Sequence, residues 1–487
     1  SYYLKHHERF KDIPITFMQE QDLPQEQELD LYLDNIGSGD LFQTKIQFKS
    51  KITVILELLA TKYRSLLDQL FQVYDFKEEE IKIINLFLEK LSGKKLKEEE
   101  IVEWYNLHGK KLARVIYISI LDNKFPQEIS NLIGFNPEIY GEFTSLDIQK
   151  DIELNLPYGK KLEYRLNNIR LDLKVYSGLS NFQPKQSLLD KIFFLYFIEN
   201  KNEINLTLWL SKKKKELKYS RKQRYIGPKE INSGCTSFGP QGRQVSIWRD
   251  EELNKVLLHE LFHSLDLEDR MNTSDLENFV YQHFDVRRDL NKLTIFENYV
   301  ELMADILNVF FLVEDTFNYS VKKSMRLHTS LKRKNTLKTL LKEKKDMFRD
   351  IIWIEKCWIM FQAAKVLHYY RYSRIEDFYF PRMIKEEQKT AKYVQKSNVF
   401  SYIILRSLCF FRLNKFLALC RKYNKSNLLE YDIPAEAMIA FWKETLNNSK
   451  YQKQMNKLLE LMREIELKKN TKSIVFNSMR MTCVESK

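Results

Sequence analysis

The sequence predicts a helix-rich α+β protein in which a small sheet backs one central helix. Three observations lead there. Apolar residues recur at helical spacing early and late in the chain, alternate with polar ones between about 160 and 250, and frame a His-Glu-x-x-His string at 259–263 inside an unbroken helix-forming run. With 44% apolar residues and only 12 Gly and 10 Pro in 487 residues, the chain can fill sizeable cores and carries little linker or disordered composition.

Residues 1–50 are polar and irregular, broken by Pro14, Pro24 and Gly37-Ser-Gly39, and read as an extended arm. Residues 51–150 read as an accessory helical region. Ile52, Ile55, Leu56 and Leu59, then Ile81, Ile84 and Leu88 behind the acidic run Glu78–Glu80, keep helical spacing. From about 160 the period becomes that of strands: Leu162, Tyr164 and Leu166, then Ile169, Leu171, Leu173 and Val175. A helix over Leu188–Ile198 and a strand over Ile204, Leu206, Leu208 and Leu210 follow.

Residues 212–224 hold eight basic side chains and one Glu, which reads as an exposed, charge-solubilised loop offering weak contact with polyanions. Four of the twelve glycines, Gly227, Gly234, Gly239 and Gly242, mark a tight-turn region before a short strand, Gln244–Trp248. A central domain over 155–370 and a C-terminal helical region over 371–487 complete the expected organisation. The latter carries apolar stripes such as Ile403, Leu405 and Phe410.

Lys and Arg outnumber Asp and Glu by 79 to 66, a modest excess over this length that favours acidic partners weakly. Five cysteines without a C-x-x-C pair form neither a disulfide framework nor a cysteine-rich zinc module, and suit a reducing compartment. No secretory leader and no run of 18 uncharged apolar residues is visible, so the expectation is an intracellular protein without a membrane span.

The chemistry concentrates at Asp250-Glu-Glu-Leu-Asn-Lys-Val-Leu-Leu-His-Glu-Leu-Phe-His. Asp250 is the expected N-cap, and four-residue spacing sets His259 and His263 on one helix face with Glu260 beside them. Two neutral imidazoles can share one Zn2+ ion while a neighbouring carboxylate deprotonates a metal-bound water. Zinc needs a third ligand. The run Phe296–Asn308 offers Glu297, Glu301 and Asp305 on a second apolar helix, and Glu301, set among Val300, Leu302 and Met303, is the expected ligand. Asp305 is the expected acceptor from a ligand imidazole. Glu297 stands as the replacement ligand, and Asp269 and His283 as lesser ones. Asp266 and Asp269 occupy the places of Gly and His in H-E-x-x-H-x-x-G-x-x-H, so the three-histidine pattern is absent.

At these residues the sequence resembles the gluzincin metallopeptidases, the thermolysin-like class in which H-E-x-x-H is completed by a Glu with an Asp four residues on. The resemblance implies a zincin-like domain with His259, His263 and Glu301 as ligands, Glu260 as general base and Asp305 behind an imidazole. It also implies an oxyanion stabiliser, for which His283, Tyr281, Arg287 and Tyr299 are candidates. More narrowly, Ile231–Thr236, Val245–Leu253 and Met479-Arg-Met-Thr look like H-E-x-x-H peptidases encoded by large DNA viruses, which implies a virion or infected-cell setting. The expected activity is zinc-dependent endopeptidase action on a peptide or protein, with extended substrate pairing along Gln244–Trp248. The alternatives are a non-catalytic zinc scaffold, such as a virion component, and a nucleic-acid-binding protein.

Overall fold

The computed structural model describes residues 127–133, 143–166, 169–199, 201–217, 225–239, 242–325, 330–379, 392–424, 429–467 and 473–485, all within one compact unit, Lys51–Lys487. The expected arm and most of the expected accessory helical region lie outside the described residues.

A six-stranded mixed sheet is the scaffold. Its strands are β1 (Gln127–Ile133), β2 (Tyr158–Leu166), β3 (Ile169–Ser177), β4 (Glu203–Ser211), β5 (Gly234–Gly239) and β6 (Gly242–Arg249), in spatial order β1-β2-β3-β4-β6-β5. The β3–β4 and β4–β6 pairs are parallel, and the other three are antiparallel. β1 falls inside the stretch read as helical, and β5 inside the stretch read as turns. β6 lies between β4 and β5, so its backbone is already paired on both sides. An added substrate strand cannot use Gln244–Trp248 as expected; among the described residues the sheet edge near the His-Glu-x-x-His helix is β5.

Alternation along the strands fills both faces. Leu206 and Leu208 of β4 and Val245 and Ile247 of β6 join the main core, while Trp209 and Trp248 point to a smaller cluster with Ile148 and Ile152 of helix α1 (Leu146–Asn155). The main-core face is covered by α2 (Gln186–Ile198) and α4 (Leu253–Ser264), with the short α3 (Pro228–Ile231) leading into β5. Beyond α4 come α5 (Thr273–His283) and the long helices α6 (Glu297–Met325) and α7 (Ser330–Tyr369). A π-helical turn (Phe400–Leu405) then feeds α8 (Arg406–Phe411), followed by α9 (Leu413–Tyr423), α10 (Ala435–Leu446), α11 (Ser449–Leu467) and α12 (Ile474–Asn477).

One apolar core runs from Leu162 to Val484, so side chains from both sides of the expected boundary at residue 370 are packed together. The segment 473–485 threads this core. Trp358 Nε1 and Gln362 Nε2 of α7 donate to Arg480 O at 3.0 and 2.8 Å, and Glu355 accepts from the backbone N–H groups of Cys483 and Val484. Of the basic run, Lys212 and Lys213 are exposed, but Lys215 and Leu217 are buried and their backbones bond to Met479 and Asn477. Residues 218–224 lie outside the described residues. No described helix is long and apolar enough to cross a membrane.

Candidate metal centre

The His-Glu-x-x-His helix, α4, begins at Leu253 rather than at the expected Asp250 cap. Asp250–Glu252 form a turn in which Glu252 takes a left-handed φ of 62°. Buried bonding overrides the cap preference: Glu252 accepts from Lys215 Nζ at 2.7 Å and from Thr482 N at 2.6 Å, which holds it inward. At the other end the chain leaves the helix through Asp266, also left-handed at φ 60°, a conformation Asp tolerates better than most residues.

His259 and His263 face each other, with their Nε2 atoms 3.2 Å apart and Glu297 Oε2 3.2 Å from each. These three donors lie within 4.8 Å of one another. The expected ligand Glu301 is placed elsewhere: its Oε2 lies 2.6 Å from His259 Nδ1, the nitrogen turned away from Glu297. Glu301 therefore holds the position behind the imidazole that was expected of Asp305. Asp305 accepts from Arg406 Nη1 at 2.7 Å and, among the described residues, meets no imidazole. The carboxylate pair is the expected one displaced by one helical turn, Glu297 and Glu301 in place of Glu301 and Asp305. Lys255 and Arg406, both bonded to Glu301 Oε1, anchor it there.

His263 Nδ1 bonds to Glu268, which the turn after α4 delivers, whereas the lesser candidate Asp269 is exposed. Each imidazole thus has a carboxylate at Nδ1, which orients Nε2 as the free donor. Two neutral nitrogens and one carboxylate oxygen form a donor set that zinc accepts, so the residues present fit the ion.

The electrostatics favour a cation. Burial works against charge on the histidines, but Glu301 and Glu297 raise His259, and Glu297 and Glu268 raise His263 well above the ordinary imidazole value. Burial likewise works against charge on Glu297, yet the adjoining His263 and His259 hold it down at about 2.

Glu260 stands next to the triad against β5. Thr236 Oγ1 lies 2.9 Å from both its main-chain oxygen and its Oε2, and burial raises its carboxyl above the ordinary range. Gly234 makes the approach possible, since a Cβ there would come within 2.8 Å of Glu260 Oε1.

The oxyanion candidates are placed away from this group. His283 Nδ1 bonds to Phe279 O within α5, and Tyr299 OH donates to Leu429 O while accepting from Asn424. Tyr281 OH donates to Asn291 O, and Arg287 pairs with Asp289. The phenol at the site is Tyr402 of the π-helical turn, whose ring meets His259 edge-on at 5.7 Å. Asn398 bonds to Tyr402 and donates to Glu297 Oε1 at 3.0 Å, linking phenol and carboxylate.

No protein-family model, curated protein or solved structure matches this chain. Its chemistry is read from the site itself. Sequence reasoning passed over Tyr402, Thr236, Glu268, Lys255 and Arg406. Only Lys255 carried a signal, being a basic residue one turn before His259 on the same helix face within an apolar run.

Proposed function

We propose that this chain is a zinc-dependent endopeptidase in which His259, His263 and Glu297 hold the ion and Glu260 is the general base. The observation that supports it most is the meeting of both Nε2 atoms with Glu297 Oε2 beside a buried, separately anchored Glu260. A bound zinc ion supplies Lewis acidity and lowers the pKa of a coordinated water.

The chain's own groups would do the rest. Held against β5 beside Thr236, the Glu260 carboxylate would take a proton from the attacking water and return it to the leaving amine. Burial raises its proton affinity above the ordinary carboxylate range, the direction such an exchange needs. Tyr402, whose ring meets His259 edge-on, would be the donor to the negative charge that develops on the carbonyl oxygen. The β5 edge offers backbone groups to an extended peptide, and Phe238, exposed on that strand beneath Arg243, offers an apolar contact.

The gluzincin resemblance supports this reading in its displaced form, with the ligand and supporting carboxylates one turn earlier than the family pattern. A non-catalytic zinc scaffold remains the rival, and it requires closure by a fourth protein ligand. Elemental analysis of purified protein, joined to peptide-library cleavage with a chelator control, tests the proposal. Glu260→Gln is expected to keep zinc and lose turnover; proteolysis surviving that change would remove Glu260 from its role.

A further inference from the structure

A small pocket of about 30 Å³, room for one or two water molecules or a single carboxylate group, opens beside His259, Glu260 and Tyr402. Ile231, Val256 and Met481 give it apolar walls, and Lys215, Lys255 and Ser233 line it as well. Lys215 and Lys255 are only 2% and 1% exposed. An ammonium has three donors. Lys215 Nζ gives one to Glu252 and Lys255 Nζ one to Glu301, so among the described residues each keeps two unspent.

Ser233, 4% exposed, has a buried hydroxyl with no hydrogen-bond partner among the described residues. Buried donors left unspent are costly, and such groups are normally satisfied by water or ligand. Of the nearby carboxylates, Glu252 is committed to Lys215 and Thr482 and Glu301 to Lys255, Arg406 and His259, while Glu260, on the same wall, accepts from Thr236 and is outnumbered by the five unspent donors. A group entering the cavity therefore meets donors in excess. Because each lysine already faces a carboxylate, recognition would come from directed hydrogen bonds rather than from net charge.

We infer that this cavity is a carboxylate-binding subsite, in which Lys215, Lys255 and Ser233 receive an acidic side chain or the C-terminal carboxylate of a peptide lying at the metal centre. The inference rests on the peptidase reading for its peptide ligand, and it makes the enzyme selective for acidic substrates.

Binding to the zinc-loaded full chain carrying Glu260→Gln, which blocks turnover, tests it by fluorescence anisotropy. The probes are fluorescein-labelled hexapeptide amides of Ala and Leu with a single Glu at each position in turn and matched Gln peptides. Gln peptides with a free C-terminal carboxylate complete the set. Either one Glu position or the free-carboxylate set is expected to bind about tenfold more tightly than its neutral match. The first result identifies a side-chain subsite, and the second a terminal one.

Lys215→Met and Lys255→Met should each bring that preference close to unity. Should either fail to fold, Ser233→Ala, which removes a hydroxyl bonded to nothing, should still cut the preference about threefold with an unchanged unfolding midpoint. Equal binding of charged and neutral probes, including no binding of any, overturns the inference. A preference that survives these substitutions overturns it too. Cleavage by the unsubstituted chain is a separate readout: carboxylate-selective binding without cleavage would remove the peptidase reading and leave the subsite standing.

Discussion

Glu297 and Glu301 stand one turn apart on α6 and reach opposite nitrogens of one imidazole, Glu297 Oε2 lying 3.2 Å from His259 Nε2 and Glu301 Oε2 2.6 Å from Nδ1. On the proposed reading their roles divide accordingly, one as ligand and one as support. Glu297→Ala is expected to abolish stoichiometric zinc binding, whereas Glu301→Gln should weaken it by about 10–100-fold while leaving a measurable site. Competition titration against a chromogenic chelator separates the two, and the reverse order would restore Glu301 as the ligand.

The absence of a side chain at Gly234 sets where the Glu260 carboxylate can lie. Gly234→Ala should push it aside, and a displacement of about 1 Å is enough to lower turnover about 100-fold. Zinc content and KM should change little. Steady-state kinetics with metal analysis checks this, and unchanged kcat would show that Glu260 is held by other contacts.

The Tyr402 ring meets His259 edge-on at 5.7 Å, and Asn398 ties it to Glu297. If its hydroxyl meets the developing oxyanion, Tyr402→Phe should lower kcat about 10²–10³-fold with KM nearly constant. Loss of zinc in this variant would instead make Tyr402 a structural wall.

The acidic setting of the histidines predicts opposite pH effects in metal-free and zinc-loaded protein. His263 is raised well above its ordinary value, so in chelator-treated protein its contribution to stability is full below about pH 6.5 and is lost as pH rises through the folded value. Glu297, held down at about 2, contributes above the unfolded carboxyl value of about 4.3, and its share is lost as pH falls from there through about 2. Zinc takes the place of the histidine protons, so its affinity should rise with pH and its binding should release protons. Urea unfolding across pH with and without chelator measures both effects; a stability of metal-free protein that rises steadily above pH 6.5 would contradict the assignment.

Much of this architecture was legible where a pattern is local. The alternation Ile204, Leu206, Leu208 and the four-residue spacing of His259 and His263 each follow from a single element's period. β5 was not legible, because Gly234-Cys-Thr-Ser-Phe-Gly239 reads as a turn. At Gly234 a side chain is excluded because the Glu260 carboxylate passes so near. The choice between Glu297 and Glu301 was hidden for another reason: both carboxylates share one face of α6, and the deciding offset, about 6 Å along the axis, is set by how α6 seats against α4. Lys255 and Arg406 fix that seating, and Arg406 arrives from 105 residues away.

The threaded segment 473–485 has a consequence for biosynthesis. Glu252, at the start of the histidine helix, is bonded to Thr482 across 230 residues, and Met481 forms part of the wall beside Glu260. During translation the histidines and both glutamates emerge long before their backing does. Closing so distant a pairing is slow, so a ribosome-bound chain lacking this stretch would carry both histidines and both glutamates without the contacts that back them in the folded chain.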